Sequence, residues 1–460
     1  MKTKILTVKQ AYTGKPLKAL TMHNADDVEW MLKTAKNLHK SECLPAYQRM
    51  AILKKLANLV ADEHEEFAQL IANEGGKPLK DARIEVTRAI DGINIAIAGI
   101  RHIKGEQIPM DLTQAGMQRL AFTIMEPIGV VVAVSAFNHP LNLIIHQVVP
   151  AIATGCPVIV KPSATTPLSA LRFAQLAIKA GLPEGYLQVA LTDRENSEKL
   201  VTDSRVAFFS FIGSAQVGWM LKSKLASGVR CALEHGGVAP LIFDQYNDMD
   251  GFIAGVVKAG FYHAGQVCVS VQRVFAPKDK AKEIAQKIAD VASQLVVGDA
   301  IDEATDVGPL ILPKEVDRVE SWVNQAIAEG ATLITGGKRI NSVSYEPTVL
   351  LNPSYHSKVS NQEIFGPVVC IYGYFDISDA IQAANSLEVS FQASIFSDHI
   401  TTAMNSAKAL AASAVMINDY TTFRVDWMPF AGRKHSGYGI GGINHTMRDM
   451  LAHKMIVIKH

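Results

Sequence analysis

Short apolar segments alternate with helical segments between residues 128 and 226, and this alternation constrains the fold more than any other feature. Strands are predicted at 128–137, 156–163, 186–191 and 206–214, and helices at 167–183, 197–205 and 215–226. Strands alternating with helices of this length form βαβ units, whose strands lie parallel in one sheet. Ligands of such sheets bind at the carboxyl ends of the strands. We therefore expect an α/β domain with a binding cleft at that edge.

A second α/β series begins at about residue 235, with further strands at 271–277 and 368–375. The region 26–100 is helical in character, and the final segment, 450–460, is strand-like. A chain of 460 residues is too long for a single compact core and predicts two or three domains. A strand at a chain terminus often pairs with another subunit, so we expect a homo-oligomer.

The overall composition is that of an ordinary globular protein. Apolar residues make up 48%, charged residues 19%, and the formal net charge is +1. This balance gives no sign of a nucleic-acid or membrane partner. The five cysteines form no CxxC pair and no Cys/His spacing typical of zinc, so we expect no metal and free thiols in a reducing compartment. No long apolar segment with a cleavage signal is present near residue 1, and we expect a cytoplasmic location.

Four polar positions follow predicted strands and are candidates for chemistry. Asn138 could donate its amide into a cleft or only form a turn before His-Pro, and Lys161 could bind ribose or phosphate or only be solvated. The turn at Gly213 and Ser214 opens a helix, where backbone amides favour a pyrophosphate, although its spacing is not GxGxxG. Glu234 could be a general base or an exposed acid. The residues alone leave these alternatives open.

Cys268 lies in the stretch "YHAGQVCVS" (262–270). A free cysteine is usually a buried and inert hydrophobe, and reactivity requires a special microenvironment. The stretch by itself therefore favours a packed thiol, with a nucleophile as the alternative. Cys156, Cys370, Cys231 and Cys43 are all expected to be structural, the first two in apolar strands, Cys231 by packing near Glu234 and Cys43 in a helical linker.

Seven motifs in order resemble the aldehyde dehydrogenase superfamily over nearly the whole chain. They are "EPIGVVVAVSAFNHP", "GCPVIVKPS", "FIGSAQVG", "LEHGG", "AGQVC", "NQEIFGPVV" and "MPFAGRKHSGYG", with the glutamate 34 residues before the cysteine as in the family. The similarity is nearest to members acting on lactaldehyde, semialdehydes and phosphonoacetaldehyde. It implies a Rossmann-like cofactor domain (1–103 and 128–234), an α/β catalytic domain (235–446) and a small β oligomerisation arm (104–127 and 447–460). A homodimer or homotetramer is implied as well.

The resemblance implies a catalytic set of Cys268, Asn138 and Glu234. The Cys268 thiolate would add to the aldehyde carbon, and Asn138 would donate to the developing oxyanion. Glu234 would then activate water to hydrolyse the thioester. Acyl-transferring relatives that use coenzyme A generally do without this base, so its presence implies release of a free acid. The small residues before Cys268 are expected to leave room for the aldehyde and the nicotinamide.

The resemblance also implies an NAD or NADP site. Lys161 would hold the adenosine ribose, Ser214 the pyrophosphate and Glu363 the nicotinamide ribose, with Phe365 beside the ring. Many NAD-preferring relatives have a glutamate three residues after the lysine, where this chain has Ala164, so we expect NADP to be accepted. Three further residues complete the expected cofactor set: Ser163, Gly213 and Gly236.

Substrate-binding residues are implied at Arg88, His139 and Arg424. An arginine at position 88 occurs in relatives that act on short anionic aldehydes, which favours a small acidic or hydroxylated aldehyde. The alternative is a buried Arg88 paired with an acid such as Glu85. Relatives often have a second arginine just before the nucleophile, and here that residue is Val267.

Several departures from the family pattern fall near the cleft entrance and the C-terminal segment. Ala431 replaces a glycine, and "IGG" (440–442) replaces an expected acidic residue. Two competing functions are considered. A cysteine hydrolase or esterase would use Cys268 with His263 or another histidine as base, and an idle relative would bind cofactor without turnover. The hydrolase leaves Lys161 and Glu363 without a role.

Overall fold

The computed structural model describes residues 4–41 and 44–459. Cys43, which was expected in a helical linker, lies outside the described residues. Helices are numbered α1 to α15 and strands β1 to β20 in chain order. The helices are α1 Ala25–Lys40, α2 Ala46–Asp62, α3 His64–Gly75, α4 Leu79–Ile100, α5 Asn142–Thr154, α6 Leu168–Ala180, α7 Arg194–Thr202, α8 Ala215–Lys222, α9 Met249–Phe261, α10 Lys278–Ala292, α11 Pro313–Ala328, α12 Lys358–Asn361, α13 Ile377–Asn385, α14 Ile400–Ala409 and α15 Ile443–Asp449.

The strands form five sheets among the described residues. They are β1 Ile5–Lys9, β2 Pro16–Thr21, β3 Gln107–Ile108, β4 Arg119–Pro127, β5 Val130–Val134, β6 Val158–Lys161, β7 Leu187–Val189, β8 Val206–Ile212, β9 Arg230–Glu234, β10 Pro240–Phe243, β11 Arg273–Pro277, β12 Thr332–Thr335, β13 Thr348–Leu351, β14 Val368–Tyr374, β15 Val389–Ser390, β16 Gln392–Phe396, β17 Ala414–Ile417, β18 Arg433–Lys434, β19 Gly437–Tyr438 and β20 Leu451–Lys459.

The first large sheet has six strands in the order β19-β9-β8-β5-β6-β7. The five strands from β9 to β7 are mutually parallel, which confirms the predicted α/β class. The central strand β5 is apolar throughout because helices cover both faces of the sheet. Val131 and Ala133 pack into one core, whereas Val130 and Val132 pack into another that contains residues of α1.

The second large sheet has seven strands in the order β12-β13-β14-β11-β10-β16-β17. Only the edge strand β12 is antiparallel to its neighbour. Its core continues through α9, α10 and α11 and includes the buried Cys370. The chain therefore contains two α/β units, as the two alternating series predicted.

The segment after residue 434 does not stay with the second unit. Strand β19 pairs with β9 of the first sheet, with Gly437 opposite Glu234, and α15 packs against α4 and α5. Residues 437–446 had been assigned to the catalytic domain from the sequence. The pairing places Gly437 and Tyr438 at the edge of the first large sheet, beside β9.

The segments 104–127 and 447–460 meet in a three-stranded antiparallel sheet in the order β20-β4-β3. Strands β4 and β20 pair over nine positions, from Leu451 opposite Pro127 to Lys459 opposite Arg119. Exposed apolar side chains on these strands include Leu120, Ile124, Met455, Val457 and Ile458. Across residues 4–41 and 44–459, every helix is too short or too polar to traverse a bilayer.

Candidate active site

A cleft of about 570 Å³ lies between the two α/β units, and it gathers every site residue predicted from the sequence. The first unit contributes the carboxyl ends of parallel strands of one sheet: β6 ends at Lys161 and β9 at Glu234, while Asn138 follows β5. The second unit contributes Cys268 and Glu363. The predicted residues that line the cleft are Arg88, Asn138, His139, Lys161, Ser163, Gly213, Ser214, Glu234, Gly236, Cys268, Glu363, Phe365 and Arg424.

Cys268 lies in a tight turn and not at the start of a strand. The turn is closed by a 2.9 Å hydrogen bond from Ser270 N–H to the carbonyl oxygen of Val267. Thr421 Oγ1 donates to the carbonyl of Val269 at 2.6 Å, which ties the turn to the segment after β17. The neighbours Val267 and Val269 are buried, whereas Cys268 is partly exposed to the cleft. The turn therefore presents the thiol to a ligand.

The small residues before Cys268 have a structural role that the sequence interpretation missed. His263, Ala264 and Gly265 all have left-handed φ values, of 49°, 54° and 69°. Ala264 and Gly265 are buried and do not line the cleft, whereas Gln266, the next residue, does. A Cβ on Gly265 would lie 2.1 Å from the carbonyl oxygen of Gly366, so the close approach of two backbones requires glycine.

Asn138 is buried and is fixed next to the turn that carries Cys268. Its Nδ2 donates to the carbonyl oxygen of Gln266 at 2.9 Å. A primary amide has two N–H groups, so the second can be donated into the cleft. Gln266 itself is clamped, because its Nε2 donates to the carbonyl of Pro309 at 3.1 Å and its Oε1 accepts from Ile311 N–H at 2.9 Å. The amide and the thiol are therefore held by the same short segment.

Burial raises the pKa of the Cys268 thiol to about 12, and the carboxylates of Glu363 and Glu234 act in the same direction. The Arg424 guanidinium opposes this shift. Cys268 is therefore a thiol at rest, and a nucleophilic attack by its sulfur would require loss of the proton.

Burial raises the pKa of Glu234 to about 7, against the opposing effect of Arg424. A carboxylate with a pKa near neutrality is well suited to accept and release protons, as a general base must. Glu234 lies at the end of β9, and the carbonyl of the same residue accepts a 3.1 Å hydrogen bond from Gly213 N–H. Glu234 and the turn at Gly213 are thus directly connected by a backbone hydrogen bond.

Three polar side chains that line the cleft, Glu363, Ser214 and Lys161, make few hydrogen bonds within the described part of the chain. Burial raises the pKa of Glu363 to about 8, and its Oε1 has no hydrogen-bond partner within the described chain. Ser214 is the N-cap of α8, yet its side chain makes no capping hydrogen bond. Lys161 Nζ makes a long 3.2 Å contact with the carbonyl of Pro162. An acceptor for hydroxyls, a helix N-terminus and a cation fit a dinucleotide with two riboses and a pyrophosphate.

Arg88 pairs with an acid, but the acid is Asp426 and not Glu85. Arg88 Nη2 lies 2.7 Å from Asp426 Oδ1. Glu85 instead forms a buried ion pair with Lys77 and accepts 3.0 Å hydrogen bonds from the N–H groups of Leu141 and Asn142. Lys77 and these backbone donors at the start of α5 thus occupy the Glu85 carboxylate.

Arg424 contributes a second guanidinium to the cleft. It stacks on the Phe430 ring, with its Cζ 3.5 Å from the ring centroid, and its Nη2 lies 3.4 Å from Nδ1 of His146. Its Nε has no hydrogen-bond partner among residues 4–41 and 44–459. Burial lowers the pKa of Arg424, although the nearby Glu234 carboxylate raises it.

Sequence reasoning missed the residues that support the predicted ones. Asp426 and His146 are both buried, 2.7 Å apart, behind the two arginines, and burial lowers the pKa of His146 to about 4. The one signal in the sequence was the acidic residue Asp426, which lies two residues after the predicted substrate-binding residue Arg424. Gln266, His235 and Arg318 also line the cleft without having been singled out.

His263 does not form the base of a cysteine hydrolase. It is fully buried and lies in a 3-10 turn, Tyr262–Gly265, beyond the end of α9. Neither ring nitrogen has a hydrogen-bond partner in the described part of the chain, and burial holds its pKa well below the ordinary value. His139, one of the histidines that line the cleft, likewise has a pKa lowered by burial.

Comparison with known proteins agrees with this geometry. The chain is 37% identical over 455 residues to a 3-sulfolactaldehyde dehydrogenase of Priestia megaterium, covering 98% of this chain and 94% of that protein. It is 35% identical over 449 residues to a lactaldehyde dehydrogenase of Methanocaldococcus jannaschii, covering 96% and 94%.

Two solved structures share the fold over the full chain. One is aldehyde dehydrogenase 21 from Physcomitrella patens in complex with the reaction product succinate, with a TM-score of 0.96, 34% identity and coverage of 100% of this chain and 95% of that one. The other is a glyceraldehyde-3-phosphate dehydrogenase from Methanocaldococcus jannaschii complexed with NADP, with a TM-score of 0.94, 33% identity and full coverage of both. The profile of the Aldehyde dehydrogenase family matches residues 1–456, and the chain belongs to this family of aldehyde oxidoreductases.

Proposed function

We propose that the protein oxidises a small aldehyde to its carboxylic acid with NAD(P)⁺, through a covalent adduct on Cys268 and hydrolytic release. The observation that carries the proposal is the convergence of Cys268, Asn138 and Glu234 in one cleft with the candidate cofactor residues. Each of the three is held by a different element, so their convergence depends on the fold of both units.

The first half of the reaction uses Cys268 and Asn138. Once the thiol has given up its proton to solvent, the thiolate adds to the aldehyde carbon and gives a thiohemiacetal. The oxyanion that develops accepts a hydrogen bond from the Asn138 amide, which its bond to Gln266 already orients. NAD(P)⁺ bound in the cleft would supply the hydride acceptor.

The second half uses Glu234. Oxidation leaves an acyl thioester on Cys268, and the Glu234 carboxylate removes a proton from a water molecule that attacks it. The pKa of about 7 supports this role, since a large fraction of the carboxylate is ionised at neutral pH and remains basic enough to accept a proton. Cleavage of the C–S bond releases the acid and regenerates the thiol.

The candidate cofactor residues fit NAD or NADP. Glu363 would accept hydrogen bonds from the nicotinamide ribose, and Phe365 would pack beside the ring. Ser214 and the turn at Gly213 would face the pyrophosphate. Lys161 would hold the adenosine ribose, with Ser163 nearby. Ala164 is exposed at the same end of the cleft and carries no negative charge, which supports acceptance of a ribose 2′-phosphate.

The substrate side supports a small acidic or hydroxylated aldehyde. Arg424, Arg88 and His139 line the cleft together, and a guanidinium recognises carboxylate, sulfonate or phosphonate oxygens. The curated relatives named above act, by their names, on sulfolactaldehyde and lactaldehyde. A homodimer or homotetramer formed through the β20-β4-β3 sheet and a cytoplasmic location complete the proposal.

A panel of aldehydes assayed with both NAD⁺ and NADP⁺ tests the function. Neutral aldehydes (propanal, lactaldehyde) are compared with anionic ones (succinate semialdehyde, 3-sulfolactaldehyde, phosphonoacetaldehyde) by the absorbance of reduced nicotinamide. We expect turnover that Cys268→Ala abolishes and that yields one acid per reduced nicotinamide. Cofactor binding without turnover would support an idle relative, and ester hydrolysis without aldehyde oxidation would support the hydrolase.

A further inference from the structure

Two glycines of the cleft lie directly against two carboxylates. A Cβ built on Gly441 would be 1.9 Å from Oε1 of Glu234, and one built on Gly236 would be 1.7 Å from Oε1 of Glu363. Neither glycine has a left-handed φ, so other residues could adopt either backbone conformation. The requirement for glycine at these positions is therefore one of space.

The backbone at Gly441 is fixed relative to Glu234. Gly441 and Phe430 exchange two backbone hydrogen bonds, of 2.6 and 3.1 Å, as an isolated antiparallel bridge. Four residues earlier, Gly437 pairs with Glu234 between β19 and β9. The chain that carries Gly441 is thus attached to the strand that carries the base, and Gly441 itself is buried.

We propose that Gly441 is a positioning residue for hydrolysis, because the absence of its side chain allows the Glu234 carboxylate to lie against the main chain in its working position. The proposal rests on the proposed role of Glu234 as the general base. It also gives a role to the "IGG" departure at 440–442, which is unexplained by the sequence alone.

A methyl group at position 441 would displace the Glu234 carboxylate more readily than it would displace the surrounding backbone. The nearest atom it would meet is the tip of a flexible side chain, and the next is the Phe430 carbonyl oxygen at 2.9 Å. The second contact, with a backbone oxygen, requires a small shift of the bridge between Gly441 and Phe430, whereas the first requires Glu234 to rotate away. Gly75→Ala is a matched control, because a Cβ there would meet its nearest atom, Cγ2 of Thr166, at 3.7 Å.

The test is a set of variants studied by pre-steady-state kinetics: Gly441→Ala, Glu234→Ala, their double variant and Gly75→Ala. We expect Gly441→Ala to lower kcat by roughly 10- to 100-fold, because a displaced base loses part of the roughly 10²–10⁴-fold that a general base contributes. Reduced nicotinamide should then appear in a burst approaching one equivalent per site, because acylation continues while hydrolysis is slow. The Kd of the cofactor and all properties of Gly75→Ala should stay unchanged.

The double variant separates positioning from general damage. Removing the Glu234 side chain removes the principal steric conflict, so Gly441→Ala should lower kcat no further in the Glu234→Ala background and should lower Tm less than it does in the parent protein. An equal loss in both backgrounds, or a Gly441→Ala protein without a burst, would overturn the inference. If Glu234→Ala itself releases product at the normal rate, the base assignment fails instead, and the two failures are distinguishable.

Gly236→Ala provides a crossed comparison. Its methyl group would displace Glu363, so we expect a higher Kd for the cofactor, measured by fluorescence of reduced nicotinamide, and no burst. A burst in Gly236→Ala as large as that in Gly441→Ala would contradict a separate role for each glycine.

Discussion

Arg88 and Asp426 form a two-point ion pair on the wall of the cleft, with Nη2 2.7 Å from Oδ1 and Nε 3.1 Å from Oδ2. The same carboxylate accepts hydrogen bonds from Asn142 and His146 at 3.2 and 2.7 Å. Asp426 thus neutralises Arg88, whereas Arg424 forms no ion pair within residues 4–41 and 44–459. Of the two guanidiniums, Arg424 has the more available charge for a substrate anion.

The first prediction concerns the choice of aldehyde. Arg424→Met should lower kcat/KM for an anionic aldehyde by about 10- to 100-fold, since a hydrogen bond to a charged group contributes roughly 1.5–3 kcal/mol. The value for a neutral aldehyde of similar size should change much less. Steady-state kinetics with succinate semialdehyde and butanal measure the difference.

Arg88→Leu is the comparison for that prediction. It leaves the buried Asp426 carboxylate without its guanidinium partner, so we expect lower thermal stability. We also expect kcat/KM for the anionic aldehyde, relative to the neutral one, to fall less than in Arg424→Met. A larger relative fall in Arg88→Leu would show that Arg88 is the principal anion site.

The sequence predicted the first sheet well because its signals are local. The β5 segment is apolar at every position, and the helices that follow β6, β7 and β8 have clear apolar spacing, so the parallel sheet and its carboxyl edge followed from pattern alone. The path of residues 437–446 did not follow, because the pairing of Gly437 with Glu234 joins positions about 200 residues apart and has no local signature.

The second prediction concerns pH. Since burial raises the pKa of Glu234 to about 7, the carboxylate is protonated, and cannot act as a base, below that pH. Where hydrolysis limits turnover, kcat should therefore fall as the pH drops through about 7. In Glu234→Gln this acid limb should disappear, together with most of the rate of hydrolysis. An unchanged limb in that variant would assign the titration to another group.

Arg424 also sets that titration, which gives a third prediction. Its positive charge holds the pKa of Glu234 down, so Arg424→Met should move the acid limb of kcat to higher pH. Measuring the profile with a neutral aldehyde separates this effect from substrate binding. A limb that stays in place would mean that the two side chains do not interact in the working enzyme.

The candidate site was predictable in its reacting groups but not in its supports. Cys268, Asn138 and Glu234 stand in motifs that resemble a family, so each could be named. Gln266 and Asp426 act through contacts with residues from distant segments, at 2.9 Å to Asn138 and 2.7 Å to Arg88. Such contacts depend on how the two units pack, and single residues carry no signal of that packing.

The fourth prediction concerns the oxyanion. Asn138→Ala should lower the rate of acylation by about 10²–10³, the usual cost of removing one donor. Because acylation becomes limiting, no burst of reduced nicotinamide should appear, in contrast to Glu234→Gln. Asn138→Asp keeps the size but replaces the donor with an acceptor and should be at least as slow. A burst in Asn138→Ala would place its role after the oxidation.

The last prediction concerns the cofactor. Ala164 is exposed at the cleft end that carries Lys161, so a glutamate there would place a negative charge near the adenosine ribose. Repulsion of a 2′-phosphate should lower kcat/KM for NADP⁺ by roughly tenfold or more in Ala164→Glu, since like charges in contact cost several kcal/mol. The value for NAD⁺ should stay or rise, because the carboxylate can accept a hydrogen bond from the 2′-hydroxyl. Ala164→Gln has similar size without the charge, and an equal loss of NADP⁺ activity in both variants would indicate steric exclusion.

In the unaltered protein, a preference for NAD⁺ above about a hundredfold, or about 2.7 kcal/mol, would contradict the proposed acceptance of NADP⁺.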